Sequence, residues 1–255
     1  MSKAFRGRAG LAAAALLLFA GVIATRLPAS WLLAAVPKIN GQSPHCDVVS
    51  GTIWHGACSG LTVGAFRFSF TQWELAAWPL LRGIVAAHLV VKGDALSVDG
   101  QFQRRISGAI LAKDLRASFS MPNTLLPQLP GNLSGKVSAN IAALALDGFK
   151  VQSIVGQINV QDLTQTAPER MSLGGYQLEF PESAAADTPA VGTLHDTGGP
   201  LEVRGTLTLT SEPGYLLDGT VASRPDANPA LLQQIAVLGS PDASGRRSFS
   251  QAATF

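Results

Sequence analysis

The chain has 255 residues, enough for one domain or two small ones around an apolar core. Charged residues make up 14% of it, and the formal net charge is +2. Three basic residues, Lys3, Arg6 and Arg8, come before an uncharged N-terminal run, and the 16 basic and 17 acidic residues that remain give a net charge of −1. A basic face for nucleic acid is therefore not expected.

The N-terminal run at 9–25 contains no charged residue and is followed by Arg26. As a helix it would measure about 26 Å, which crosses a bilayer core if Arg26 extends to the interface. The basic residues ahead of the run favour a cytoplasmic N-terminus. We therefore expect a cytoplasmic segment at 1–8, a transmembrane anchor at 9–25, a linker at 26–44 and an exported β-rich domain at 45–255.

A cleaved signal peptide is an alternative interpretation of this run. The residues Val22, Ile23 and Ala24 fit the small-residue pattern that precedes a cleavage site. The apolar segment at 31–36 follows closely, however, and could extend the run or lie at the membrane interface with Trp31 at headgroup depth. Both interpretations export the rest of the chain, because no later segment is long and apolar enough to span again.

Cys46 and Cys58 lie beyond the expected anchor, in an oxidising compartment if this topology holds. A disulfide between them would close a loop of about 13 residues and contribute roughly 3 kcal/mol. Two separate buried thiols are the alternative. His45 and His55 lie nearby, but the spacing of these four residues matches no zinc pattern. No metal site is therefore expected.

Beyond the linker the hydrophobic period becomes two, which is typical of strands with one apolar face. Apolar and polar residues alternate in the segments 66–71, 153–161, 201–210 and 215–221. Two other segments predict short helices. One is 72–81, and the other is 229–238, which has Asn228 as a candidate cap.

Glycine-containing dipeptides separate these segments and predict turns. They are Gly93-Asp94, Asp99-Gly100, Asp147-Gly148, Gly174-Gly175, Gly198-Gly199 and Asp218-Gly219. The polar, Pro- and Gly-rich segment 182–200 predicts a loop around at most one short strand. We expect a mainly β protein, in which one N-terminal transmembrane helix precedes a curled, largely antiparallel sheet of ten or more strands with one or two short helices. A half-barrel or groove and a sandwich both remain open.

No cluster of catalytic residues is found in the sequence. There is no nucleophile elbow, phosphate-binding loop or zinc-protease motif. The histidines are scattered over different segments, at His45, His55, His88 and His195. No enzymatic activity, catalytic residue or cofactor is therefore expected.

Trp54, Trp73 and Trp78 lie close together near the start of the exported domain. One interpretation is that they form the core of a sheet. The other is an aromatic surface for the membrane or a partner protein.

Two groups of motifs resemble the type II secretion system protein N family. The first, at 49–61 and 72–83, has a Gly-x-x-Trp-x-Gly signature and a Trp-containing element that ends in Leu-x-Gly. The second, at 214–219 and 228–246, resembles the closing stretch of the family. The motif residues are Gly51, Trp54, Gly56, Trp73, Leu81, Gly83, Leu238, Gly239 and Gly245.

This resemblance implies a single-pass protein of the cell inner membrane, with a periplasmic domain that is accessory to the export of folded proteins across the outer membrane. Its implied partners are other secretion subunits, in the inner-membrane assembly and the outer-membrane channel, and membrane lipid. The family is also similar to AsmA-like proteins with lipid-accommodating sheets. The alternative is therefore a periplasmic lipid-binding or lipid-transfer protein with an apolar β groove.

Overall fold

A computed structural model describes residues 25–35, 43–63, 66–93, 96–106, 108–121, 133–148, 150–167, 169–181, 188–210 and 214–254. These residues form one open antiparallel sheet of thirteen strands, in which the spatial order follows the chain. The strands are β1 (His45–Gly51), β2 (His55–Val63), β3 (Phe66–Ala76), β4 (Ile84–Lys92), β5 (Leu96–Arg105), β6 (Ile110–Met121), β7 (Leu133–Asp147), β8 (Lys150–Gln165), β9 (Met171–Phe180), β10 (Val191–Gly198), β11 (Leu201–Leu209), β12 (Gly214–Ser223) and β13 (Arg247–Thr254).

The expected mainly β, antiparallel fold is confirmed. All the described strands belong to one sheet, so the two separate sheets of a sandwich are not found. The predicted cytoplasmic segment and all but the last residue of the predicted anchor lie outside the described residues. No helix in the described part of the chain is long and apolar enough to cross a membrane.

The described residues include three short helices: α1 (Ser30–Ala35), α2 (Ala77–Leu80) and α3 (Pro229–Ala236). The helix predicted at 229–238 is confirmed as α3, because the Asn228 side chain accepts a hydrogen bond from the amide of Ala230 at 2.9 Å and Pro229 suits the first turn.

The helix predicted at 72–81 is wrong for its first half, where β3 continues to Ala76 and only α2 is helical. Trp73 and Leu75 alternate with Gln72 and Glu74, which fits a strand. Gln72, Trp73 and Glu74 pair with both β2 and β4, and Leu75 pairs with β4. Pairing on both sides satisfies this backbone and overrides the local helical pattern.

Three predicted turns lie inside strands instead: Asp99-Gly100 in β5, Gly174-Gly175 in β9 and Asp218-Gly219 in β12. Close packing explains Gly219, since a Cβ there would lie 2.6 Å from the Phe249 ring and 2.6 Å from the carbonyl oxygen of Arg204. Glycine at this position therefore permits close approach within the sheet rather than a change of direction.

The pairing register separates an apolar face from a polar face, because directly opposed residues in antiparallel strands point to the same side. One row of such residues crosses all thirteen strands and has a single polar member, Thr71. The row contains Val49, Cys58, Thr71, Val91, Val98, Ala117, Ala139, Ile158, Leu178, Leu194, Gly205, Gly219 and Phe249. We call the side of the sheet that carries this row the apolar face.

A row on the opposite side also crosses the whole sheet, and it is mostly polar. It contains Ser50, Ala57, Gln72, Val90, Asp99, Arg116, Asn140, Gln157, Glu179, Thr193, Thr206, Asp218 and Ser250. We call this side the polar face. The period-two pattern of the sequence is therefore in phase from the first strand to the last.

Three clusters of buried side chains form the core. The first contains Ala29, Cys58 and Trp73; the second contains Ile141, Ile154, Phe180 and Ala190; and the third contains Met171, Leu201, Val203, Val221 and Leu231. Ala29, just before α1, packs into the first cluster, and Leu231 of α3 packs into the third. These short segments therefore cover the two flanks of the sheet.

The predicted linker includes residues that belong to the fold. Pro28 forms a β-bridge with Thr52, and the carbonyl of Leu27 accepts a hydrogen bond from the amide of Ile53 at 3.0 Å. The amide of Ala29 donates to the carbonyl of Gly51 at 3.2 Å. The chain that follows the predicted anchor is thus fixed to the turn between β1 and β2.

We predict that Thr71→Val stabilises the protein. The Thr71 hydroxyl is buried, and no described group forms a hydrogen bond with it. Replacing it with a methyl group removes this cost and should raise the free energy of unfolding by about 1 kcal/mol. Urea denaturation measures the change. Thr206→Val on the polar face is the matched control, and an equal gain in both variants would contradict the explanation.

Candidate functional site

The apolar face is largely uncovered. The described residues contain one sheet and three short helices, and most side chains of the apolar row are only partly buried. A partly exposed apolar surface of this extent is typical of an interaction surface.

The second exposed feature is the outer edge of β13. The amide of Thr210 donates to Gly214 at 3.1 Å, and the amide of Arg224 donates to Pro200 at 2.8 Å. Even-numbered residues of β12 therefore bond to β11, and its odd-numbered residues bond to β13. In β13 the odd-numbered residues then face β12, whereas the amides and carbonyls of four residues point away from the sheet. They are Ser248, Ser250, Ala252 and Thr254.

This edge lacks the usual protection against strand pairing. The strand has no proline or lysine, its register with β12 is unbroken, and all four outward residues are exposed. The opposite edge, β1, differs because Pro28 bridges Thr52 at its end and Asp47 carries an ion pair with Arg67 at 2.9 Å. β13 is thus the more accessible edge for an added strand.

Of the ion pairs between described residues, the most buried joins Asp196 of β10 to Arg224 after β12, at 2.6 Å. The Asp196 side chain is 8% exposed and also accepts a hydrogen bond from the amide of Val203 at 2.9 Å. Arg224 donates to the carbonyls of Gly199 and Leu201 at 2.8 and 3.0 Å. The pair therefore fixes the turn between β10 and β11 to the end of β12.

The pKa values in this cluster follow from the same contacts. Burial tends to raise the pKa of Asp196, but the hydrogen bonds from Arg224 and Val203 outweigh it and lower the pKa below its usual value. Burial, with a further effect from Asp196, raises the pKa of Tyr176 to about 12. The cluster therefore holds a carboxylate and a neutral phenol at neutral pH.

The four histidines of the sequence lie apart from one another in the sheet. His45 lies 4.0 Å from Asp47, His55 lies 3.2 Å from Glu74, and His88 lies 2.7 Å from Asp99. His195 in β10 lies opposite Gln177 of β9 and Arg204 of β11. Within the described ranges, no group of three or more His, Cys, Asp or Glu residues could hold a metal ion.

The motif residues fall at two opposite ends of the strands. Gly51, Trp54, Gly56 and Trp73 lie together around the β1–β2 turn, where the Trp73 indole donates to the carbonyl of Ile53 at 3.2 Å. A Cβ at Gly56 would lie 2.4 Å from the Trp73 ring, so glycine permits this packing. The turn between β3 and β4 holds two more, Leu81 and Gly83.

The other three motif residues, Leu238, Gly239 and Gly245, lie between α3 and β13 at the other end of the sheet. There the Asp242 side chain accepts hydrogen bonds from the amides of Ser244 and Arg246, at 2.8 and 2.9 Å. The motif residues therefore shape two separate corners of the fold and do not form one site.

The three tryptophans differ in how far they are buried. Trp73 is buried in the core, and Trp54 is partly buried. Trp78 in α2 is 82% exposed.

Cys46 and Cys58, on the adjacent strands β1 and β2, are joined by a disulfide bond with their Cα atoms 5.9 Å apart.

Of the predicted topology determinants, only Arg26 lies in the described part of the chain, where it is exposed. Lys3, Arg6 and Arg8 lie outside it. At the end of β5, Arg104, Arg105 and Ile106 form an exposed group that was not predicted from the sequence. Two arginines followed by an isoleucine at a turn were the available signal, and it is not specific, because single apolar residues are common on protein surfaces.

Comparison with known proteins identifies one family. The profile described as "Type II secretion system (T2SS), protein N" matches residues 46–250. A protein of Aeromonas hydrophila named "Type II secretion system protein N" is 25% identical over 243 residues, which cover 92% of this chain and 94% of that protein. No solved structure shows a significant match.

We predict that removing the disulfide destabilises the fold. The double variant Cys46→Ala and Cys58→Ala should lose roughly 3 kcal/mol of unfolding free energy, because the unfolded chain gains the freedom of a loop of about 13 residues. Urea denaturation under oxidising conditions measures the loss. The wild-type protein in dithiothreitol is the control and should match the variant; equal stability of all three samples would contradict the prediction.

A second prediction concerns Asp196. The variant Asp196→Asn should unfold at lower urea concentration than the wild type at pH 7, because Arg224 loses its carboxylate partner. Since the folded-state pKa of Asp196 is lowered, its stabilisation is present above the unfolded pKa of about 3.9 and is lost as pH falls through the folded value.

The difference in unfolding free energy between Asp196→Asn and the wild type should therefore shrink as the pH falls from 5 to 2. Asp99→Asn removes a carboxylate that is 53% exposed, and it is the matched control with a smaller effect. A difference for Asp196→Asn that stays constant over this pH range would rule out the ion pair as its cause.

Proposed function

Because the chain belongs to the type II secretion system protein N family, we propose that it is an accessory structural component of that system. In this proposal an inner-membrane anchor at 9–25 holds the β domain in the periplasm, with the N-terminus in the cytoplasm. The domain aids export of folded proteins across the outer membrane by binding other secretion subunits. The proposal assigns it no enzymatic step, cofactor or metal, and no nucleic acid.

The free edge of β13 carries this proposal. Its four outward residues offer amides and carbonyls in the spacing of a β-strand, which an extended segment of another subunit can pair with. Their side chains are small or bear hydroxyl groups, so they do not obstruct an approaching strand. The added strand would continue both faces of the sheet and should therefore alternate polar and apolar residues.

The secretion role is preferred over the lipid-transfer alternative. The family profile and the Aeromonas hydrophila relative carry names from the secretion system, and neither gives support to lipid transfer. The apolar face would also suit a protein partner, because an added strand at β13 brings its own apolar residues beside Phe249.

We predict that a photo-crosslinking amino acid at Ser250 in the full-length protein captures a secretion subunit in intact cells. Ser250 lies on the exposed edge, and a partner strand would contact it directly. Mass spectrometry of the crosslinked product identifies the subunit. The same amino acid at Thr206, exposed on the polar face of the interior strand β11, is the control and should yield no such product.

Substitution of the same position tests the backbone contact. Ser250→Pro removes an amide that points away from β12, so it should leave the sheet intact but reduce secretion several-fold at normal protein abundance. Ser250→Ala keeps the amide and should secrete normally. Normal secretion by both variants, together with no subunit crosslinked at Ser250, would refute the proposed edge contact.

A further inference from the structure

One end of the sheet carries a group of exposed apolar and basic side chains. The β3–β4 and β5–β6 turns meet there, and the amide of Ile106 donates to the carbonyl of Gly83 at 3.3 Å. We call this group the arginine rim, and it consists of Trp78, Leu81, Arg82, Arg104, Arg105 and Ile106.

The apolar members of the arginine rim are almost fully exposed. Trp78 is 82%, Leu81 79% and Ile106 88% exposed. The local fold holds them outward, since Pro79 and Leu80 accept hydrogen bonds from the amides of Arg82 and Gly83, both at 3.0 Å. An open hollow of about 540 Å³ lies beside Trp78, Leu81 and Arg82. Three large apolar side chains in water at one corner indicate a surface that is covered in use.

The basic members have no counter-ions within the described part of the chain. Arg82, Arg104 and Arg105 are exposed, and none of them forms an ion pair with another described residue. Two acidic residues lie at this end of β1–β8, and both face basic groups. Glu74 lies 3.2 Å from His55, and Asp147 lies opposite Lys150. The arginine rim is thus locally positive in a domain that is close to neutral.

The chain that leaves the predicted anchor is fixed at the same end of the sheet. Leu27 bonds to Ile53 in the β1–β2 turn at 3.0 Å, and the carbonyl of Trp54 accepts a hydrogen bond from the amide of Leu75, just before α2, at 2.6 Å. All three turns, β1–β2, β3–β4 and β5–β6, follow odd-numbered strands and so lie at one end. The arginine rim and Arg26 therefore lie at the same end of the strands.

We propose that the arginine rim lies against the anionic phospholipid surface of the membrane that holds the anchor. This inference rests on the anchor of the proposed function. Tryptophan and aliphatic side chains enter the interfacial region, and the arginines bind phosphate groups of the lipid. Two points of attachment, the anchor and the rim, orient the domain and point the opposite ends of its strands away from the membrane.

Quenching of tryptophan fluorescence by brominated lipids tests this contact. The full-length protein is reconstituted into vesicles of phosphatidylethanolamine and phosphatidylglycerol, with or without bromine on the acyl chains. The emission of Trp78 is obtained by subtracting the fluorescence intensity of Trp78→Phe from that of the wild type. We expect brominated lipid to reduce this emission by at least half.

The chain offers matched controls. Val237, at the other end of the sheet, is 86% exposed. The substitution Val237→Trp in the Trp78→Phe background should give emission that brominated lipid does not quench. The triple variant R82Q/R104Q/R105Q should lose at least half of the Trp78 quenching, whereas K92Q/K136Q/R170Q, which removes the same charge elsewhere, should keep it. With phosphatidylcholine in place of phosphatidylglycerol, the two triple variants should behave alike.

Alkaline carbonate extraction separates the two ways of failing. If Trp78 is unquenched while the protein resists extraction, the arginine rim does not contact lipid and the proposal is overturned, but the anchor stands. If the protein is extracted, the anchor of the proposed function fails as well. If only added secretion subunits shield Trp78, the rim binds protein, which also overturns the lipid proposal.

Discussion

The structure depends on a single cross-strand register that is kept over thirteen strands. Each antiparallel pairing sets directly opposed side chains on one side, so a one-residue slip anywhere would move the apolar row of the following strands to the polar face. Register shifts do occur, as between Asp99 and Gln101, and glycine or an extra residue absorbs them. The apolar row is therefore continuous from Val49 to Phe249 even though individual strands bend.

A single open sheet satisfies the hydrogen bonds of its backbone but leaves one face and one edge exposed. Neighbouring strands satisfy its backbone, and among the described residues no long helix is needed. Within the same ranges, however, its apolar face has no second layer and its last strand has no partner on one side. The fold stabilises its flanks locally, with the Cys46–Cys58 disulfide and Ala29 at one side, and with Leu231 and the Asp196–Arg224 pair at the other. What remains exposed is available for partners.

The exposed features have different chemistry and point to different contacts. The β13 edge offers backbone groups beside small side chains, which suits another strand. The arginine rim offers aromatic, aliphatic and cationic groups, which suits a lipid surface. A domain that contacts its membrane at one corner and a secretion subunit along one edge would act by holding its partner at a defined place, which suits an accessory component.

The sequence by itself determined the strand class, because alternation such as that of Leu201, Val203, Leu207 and Leu209 reflects a local period that any half-buried strand must have. It also determined α3, whose cap and first-turn proline act within a few residues. It did not determine that Gln72–Ala76 is a strand, or that Gly219 lies within one. The pairing of Gln72–Glu74 with both β2 and β4 and the approach of Phe249 come from distant residues. Only the tertiary structure decided which edge the described residues leave free and which turns meet, since Gly83 and Ile106 come together through the order of the strands and not through any local pattern.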